Sequence, residues 1–269
     1  MTDHGEIRRW QFASTAIIIV LAVMATTLGL FRDGFYRDPE VLVVQAYGQD
    51  LVTLFGVVPL LAGGAWLARN GSLRGYVIWL GALGYMTYTY AVYAVITQFN
   101  PFFLGYVALF GLSAYTLAAG ILQLDPVDVK RRLDRTLPVR ALVWFFVGMG
   151  VLVALLWLSE VIPATLASEP PPSVADTGVP ANVVHVLDLA ILVPAMFVTA
   201  WLLHERRPWG FVLPGVFFVK LTSIGVAVLA MIGWMYLEGH PLRIEEIVIF
   251  VVLTVANAGF AFVYLRSIR

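Results

Sequence analysis

Cysteine is absent from this 269-residue sequence. The chain therefore forms no disulfide bond, offers no thiolate nucleophile and supplies no thiolate ligand for a metal. The sequence also lacks Gly-x-Ser-x-Gly, His-Glu-x-x-His and a glycine-rich phosphate-binding loop, which mark several common classes of enzyme. Its four histidines are dispersed, at His4, His185, His204 and His240. We therefore expect no metal site and no cofactor.

Charged residues are scarce, since they make up only 13% of the chain against 60% hydrophobic residues. A soluble domain carries roughly a quarter charged residues, so this chain has too few to cover a water-exposed surface. Its mean hydropathy of +0.86 is typical of an integral membrane protein, whose main partner is the lipid bilayer. The 17 basic and 17 acidic residues balance, and we expect no nucleic-acid binding.

Long apolar runs predict an all-α protein with eight transmembrane helices, because a helix of about 20 apolar residues crosses the bilayer core. Strands of a membrane barrel would alternate in polarity every second residue, which these runs do not. The first run is about twice as long as the apolar core of a signal peptide, so we expect a retained helix. The predicted spans are 10–31, 50–68, 75–97, 101–123, 140–162, 183–203, 209–235 and 246–266.

Lysine and arginine are distributed unequally between the connections. Thirteen of them fall in the two tails and in alternate loops, three fall in the remaining loops, and Lys220 lies within a span. Basic residues concentrate on the cytoplasmic side, so the sequence predicts a plasma or inner membrane protein with both termini in the cytoplasm. The thirteen are Arg8, Arg9, Arg69, Arg74, Lys130, Arg131, Arg132, Arg135, Arg140, Arg206, Arg207, Arg266 and Arg269, and the three are Arg32, Arg37 and Arg243.

The two halves of the chain resemble each other at an offset of 135 residues. The segment from Pro59 to Leu67, which contains Ala65-Trp66, matches the segment from Pro194 to Leu202. The alternative is chance, because small residues, leucine and tryptophan are common in membrane spans. We interpret the match as an internal repeat, with residues 1–136 and 137–269 forming two four-helix units of one membrane domain. Four spans per unit give both units the same orientation in the membrane.

Polar residues inside the predicted spans recur at the same offset, although such residues are costly in hydrocarbon. This recurrence indicates one shared polar site between the halves. Asp50 and Thr53 are three residues apart, as are His185 and Asp188, so each pair lies on one helix face. The matched positions are Asp50 with His185, Thr53 with Asp188, Tyr85 with Lys220, Thr87 with Thr222 and Tyr88 with Ser223.

Lys220 stands near the middle of the seventh predicted span, too deep to reach either membrane surface easily. Three interpretations are open: an ion pair with Asp188 that ties two helices together, a charged group in a binding site, or a side chain that reaches out along the lipid. In a binding site, Lys220 would supply positive charge, Asp188 and His185 would govern protonation, and Tyr85 and Tyr88 would donate hydrogen bonds. Asp50 completes the predicted site, and the pocket is expected to open outward.

The sequence favours a non-enzymatic membrane protein that binds or transports a small solute or ion, of an anionic or proton-linked kind, through an outward-facing polar pocket between the halves. One alternative is an intramembrane enzyme acting on a lipid or lipid-linked substrate, with Asp188 and Lys220 as acid and base. Another is a structural or accessory subunit, in which the polar residues only hold helices together.

Overall fold

The computed structural model describes residues 7–133, 137–175, 177, 179, 181–241 and 244–268. Three of the basic residues that predict the orientation, Arg135, Arg243 and Arg269, lie outside the described residues. His4 and residue 136, the predicted boundary between the halves, also lie outside them. The described residues form helices and no strand. The helices are α1 (Arg9–Phe31), α2 (Glu40–Val52), π1 (Thr53–Val57), α3 (Val58–Arg69), α4 (Leu73–Ile96), α5 (Phe103–Gln123), α6 (Pro126–Leu133), α7 (Val139–Ala167), α8 (Pro172–Ala175), α9 (Val183–Leu187), π2 (Asp188–Leu192), α10 (Val193–His204), α11 (Trp209–Leu237) and α12 (Ile244–Ser267).

Seven helical segments in the described chain are long and apolar enough to cross a membrane, so this is a multi-pass helical membrane protein. They correspond to every predicted span except the third. That segment forms α4, a helix of 24 residues whose tyrosines, threonines and glycines lower its hydropathy. It packs among α3, α5 and α11, and most of its side chains are buried against protein. The seven segments are Arg9–Phe31, Glu40–Arg69, Phe103–Gln123, Val139–Ala167, Val183–His204, Trp209–Leu237 and Ile247–Ser267.

Two of these segments widen by one π-helical turn, at π1 and at π2. Each turn directly precedes a proline at the second residue of the next helix, Pro59 or Pro194. Proline has no N–H to donate, and its ring clashes with the carbonyl four residues earlier, so it disturbs regular α-helical bonding. In both turns, the N–H of the residue after the turn donates to the carbonyl of the first residue, five positions back. The two turns are 135 residues apart.

A close contact between helices is also repeated at this offset. Gly75, near the start of α4, lies against the end of α3, and an added Cβ there would lie 2.8 Å from the backbone nitrogen of Ala68. Gly210 occupies the same place after α10, where an added Cβ would lie 2.6 Å from the backbone nitrogen of Leu203. In both places only glycine lets the second helix approach the first so closely.

Helix α11 joins the first part of the bundle to the second, because it packs against both α2 and α4 as well as α10 and α12. Small residues allow this packing. An added Cβ at Gly48 of α2 would lie 2.5 Å from the backbone of Met231, and one at Gly81 of α4 would lie 2.4 Å from the side chain of Val219. The core between these helices is therefore closed by direct backbone approach.

Candidate functional site

A cavity of about 380 Å³ lies where α2 and α4 face α7, π2, α11 and α12. Its walls are largely apolar, with Leu42 and Val92 on one side and Ile224, Met231 and Phe250 on the other. The sequence predicted a polar pocket, whereas most of this lining is apolar. Polar groups are instead gathered at its two ends.

The deep end of the cavity is formed by Gln49, Tyr88, Thr89, Trp157 and Asp188. At 1.5 Å per helical residue, Tyr88 lies about 13 Å along α4 from the loop that follows this helix. The other end reaches the loops, where Asp38, Ser173 and Asn182 contribute to the lining.

Asp188 is the first residue of π2, and its buried carboxylate is held by two donors. The hydroxyl of Tyr88 donates to Oδ1 over 2.9 Å, and the indole N–H of Trp157 donates to Oδ2 over 2.8 Å. The donors come from α4 and α7, so the carboxylate connects three helices. Both of its oxygens are satisfied without a cationic partner in contact.

Lys220 lies behind Tyr88 and does not line the cavity. Its aliphatic stem packs near Gly84, where an added Cβ would lie 3.7 Å from three carbons of the lysine side chain. The ammonium stands 4.6 Å from the centre of the Tyr88 ring, in a cation–π contact. Among the described residues, the Lys220 ammonium forms no ion pair with Asp188, since Nζ does not come within 4.0 Å of either carboxylate oxygen. Tyr88 thus contacts both the ammonium and the carboxylate, and the lysine stem packs against the neighbouring helix α4.

His185 is buried beside the cavity, three residues before Asp188. Its ring lies 4.7 Å from that of Trp157, and its Nε2 is 3.5 Å from Oε2 of Glu160. The indole of Trp157 therefore contacts both members of the pair that the sequence predicted, His185 and Asp188.

Asp50 is buried outside the cavity, in a cluster of tyrosines. The hydroxyl of Tyr36 donates to its Oδ2 over 2.6 Å, and that of Tyr93 donates to its Oδ1 over 3.1 Å. Both tyrosines also line the cavity, so Asp50 supports the wall from behind. Gly29 of α1 faces this group, and a Cβ there would lie 2.2 Å from Oδ2 of Asp50.

Tyr85 is fully buried and supports the cavity floor without lining it. Its hydroxyl lies 2.8 Å from that of Thr53, and it accepts a hydrogen bond of 2.8 Å from the amide of Gln49. The same amide donates to Thr89 over 3.0 Å. Of the six residues predicted for the site, Asp188 and Tyr88 line the cavity, and the other four stand directly behind it.

Among the lining residues that did not emerge from the sequence are Gln49, Trp157 and Asp38. Gln49 carries a detectable signal, since an amide buried in a span needs hydrogen-bond partners there. Trp157 gives none, because tryptophan near a span end is ordinary. Asp38 lies in the loop before α2, where burial raises the pKa of its carboxyl although the backbone N–H of Gln98 donates to it over 2.8 Å.

No bound metal site is indicated by the described residues, which contain no cluster of three or more histidine, aspartate or glutamate side chains. The chemistry available at the deep end of the cavity is a carboxylate with two aromatic donors and an amide, and the walls above it are apolar. Comparison with known proteins gave no matching protein family, no matching curated protein and no matching solved structure.

Proposed function

We propose that this protein binds or transports a small solute or ion through the cavity between its two groups of helices. The observation that carries the proposal is the composition of the cavity floor, where Asp188, Tyr88 and Gln49 meet inside a membrane bundle. Polar side chains in hydrocarbon are rare and commonly line the path of a solute or ion. A volume of about 380 Å³ also falls within the usual range for small-molecule sites.

The absence of native cysteine gives a direct test, since a single introduced thiol can be followed without background. Ala46→Cys places a thiol on the cavity wall, and Ala181→Cys places a control thiol on an exposed loop. We expect uncharged, water-soluble N-ethylmaleimide to modify both variants of the purified protein. An unreactive thiol at the cavity wall, in a protein that remains monodisperse, would contradict a solute-binding role.

Flux measurements separate transport from binding alone. Proteoliposomes containing the protein are compared with vesicles containing the maleimide-blocked Ala46→Cys variant, using cationic, anionic and neutral solutes. Flux that is lost on blocking indicates transport through the cavity. A changed lipid product without flux, detected by mass spectrometry, would instead indicate the enzymatic alternative.

The topology that we propose has eight spans, with α4 as the eighth and both termini in the cytoplasm. Two contacts at the ends of α4 support this. Near its start, Arg74 donates to the carbonyl of Ile268 after α12, over 2.7 Å. After its end, Gln98 donates to Asp38, in the loop that connects α1 to α2. Helix α4 therefore runs the length of the bundle alongside apolar spans.

Cysteine labelling in intact cells tests this topology. Asn70 and Gln98 are exposed and flank α4 on either side. We expect a membrane-impermeant maleimide to label Gln98→Cys and to leave Asn70→Cys unlabelled until the cells are opened. Labelling of both variants from outside would contradict a transmembrane α4, and labelling of Asn70→Cys alone would reverse the orientation.

We also propose that residues 1–136 and 137–269 are duplicated units in the same orientation. The support is that the sequence match at this offset is accompanied by matching structure, in the two π-helical turns and in the close contacts at Gly75 and Gly210. The cavity would then lie at the interface of the two units, near their pseudo-twofold axis.

A further inference from the structure

We propose that the ligand of this cavity is an organic cation with an apolar body, an inference that rests on the proposed solute-binding function. The sequence alone suggested an anionic or proton-linked solute, because Lys220 was expected to reach the site. The lining residues reverse that expectation.

The charge of the lining is the first argument. Asp188 at the deep end and Asp38 at the loop end both contribute to the surface, and no lysine, arginine or histidine of the described chain does. Oδ2 of Asp38 is buried and has no hydrogen-bond partner among the described residues. An anion would meet two carboxylates in a medium of low dielectric constant, where charges of the same sign repel strongly.

The aromatic residues are the second argument. Tyr36, Tyr88, Tyr93 and Trp157 all line the cavity, and rings of these types attract cations to their faces. The Tyr88 ring already holds one cation, the Lys220 ammonium, which stands outside the cavity lining. Aromatic side chains combined with a carboxylate are a common way to bind ammonium groups that carry methyl or larger substituents.

The remaining walls define the rest of the ligand. Leu42, Ile224, Met231 and Phe250 offer apolar surface but no hydrogen bonds, so they suit a hydrocarbon portion. A bare metal ion fits less well, because it needs several oxygen ligands. Both oxygens of Asp188 are already bound to Tyr88 and Trp157.

Charged thiol reagents test which sign of ligand charge the cavity favours. The purified Ala46→Cys and Ala181→Cys proteins are treated with two methanethiosulfonates of similar size, one bearing a trimethylammonium group and one a sulfonate. We expect the ratio of the two rates, cationic over anionic, to be about tenfold higher at the cavity wall than on the loop. Adding Asp188→Asn or Asp38→Asn to Ala46→Cys should lower the ratio, whereas adding Asp33→Asn in the exposed loop should not.

Ligand protection tests the same inference without a charged reagent. Benzyltrimethylammonium should slow the reaction of Ala46→Cys with N-ethylmaleimide, and benzenesulfonate should not. Equal ratios at the two thiols, or protection by benzenesulfonate, would overturn the cation inference while leaving a solute-binding cavity in place. A thiol that reacts with no reagent would overturn the cavity function itself, so the two failures are distinct.

Discussion

The hydroxyl of Tyr88 donates a hydrogen bond of 2.9 Å to Asp188, while the ring of the same residue lies under the ammonium of Lys220. One tyrosine therefore contacts both of the ionisable residues that stand out in the sequence. Its two contacts can be separated experimentally, because phenylalanine retains the ring and loses the hydroxyl.

We predict that Tyr88→Phe lowers the free energy of unfolding by about 1–2 kcal/mol, because it removes one of two donors to a buried carboxylate. Tyr85→Phe is the matched control on the same helix, where the hydroxyl contacts neutral groups, those of Thr53, Gln49 and Thr89. Its loss should cost less, about 0.6 kcal/mol, as for other neutral hydrogen bonds in membrane proteins. Equilibrium unfolding in mixed micelles measures both. A loss in Tyr88→Phe no larger than that in Tyr85→Phe would contradict the prediction that the Tyr88 hydroxyl stabilises the Asp188 carboxylate.

A double-mutant cycle tests whether Lys220 and Asp188 interact across Tyr88. We expect Lys220→Met and Asp188→Asn each to destabilise the protein, and the double variant to be about 1 kcal/mol more stable than the sum of the single effects predicts. Removing one charge leaves the other buried and less well compensated, which is why the double change is better tolerated.

Lys220→Met with Asp33→Asn is the control pair for this cycle, because Asp33 is exposed in a loop. That pair should be additive within about 0.5 kcal/mol. If the effects of Lys220→Met and Asp188→Asn were also additive, the lysine would contribute to stability only through its packing against α4. The double variant Lys220→Met, Asp188→Asn should still lack the cation preference of the cavity. It has lost the Asp188 carboxylate, which lines the cavity directly.

The helices could be predicted because an apolar run of about 20 residues has few alternatives in a bilayer. The predicted span 101–123 agrees closely with Phe103–Gln123. The second span was predicted to start at residue 50, whereas its helix begins at Glu40. The missing ten residues include Gln45 and Gln49, which lower hydropathy but face the cavity. Hydropathy does not recognise a helix whose polar side chains face inward.

The site was predicted only in part, because the sequence gives spacing along one helix and not the contacts between helices. The spacing of His185 and Asp188 placed both on one helix face, but it gave no sign that the indole of Trp157, from another helix, contacts both of them. Lys220 was recognised as unusual from its depth, while its position behind Tyr88 depends on how α4 and α11 pack. The prolines at the two π turns are visible in the sequence, although their consequence for helix geometry is not.

We predict that Asp38→Asn stabilises the protein at neutral pH. It should not do so below a pH of about 3.9, the ordinary pKa of an aspartate carboxyl. Burial raises the pKa of the Asp38 carboxyl, so the folded state keeps a proton that the unfolded chain has lost. Stability therefore falls as the pH rises from the ordinary pKa through the raised one, and the asparagine variant lacks this loss.

Melting temperatures of the wild-type protein and the variant at the two pH values measure this effect. Asp33→Asn, in the same loop, controls for the removal of one negative charge. A difference between Asp38→Asn and the wild type that is the same at both pH values would contradict a pKa raised by burial.

Glycine substitutions test the packing that builds the cavity. We predict that Gly48→Ala destabilises the protein by about 1–3 kcal/mol, since its Cβ would lie 2.5 Å from the backbone of Met231 and α11 would have to move. Gly63→Ala is the matched control within α3, because nothing lies within 4 Å of its added Cβ. It should be neutral or stabilising by up to about 1 kcal/mol, as alanine favours the helix. Displacement of α11 should also change the maleimide reactivity of Ala46→Cys, which faces it across the cavity. Equal stability of the two glycine variants would mean that α2 and α11 do not approach as closely as the structure shows.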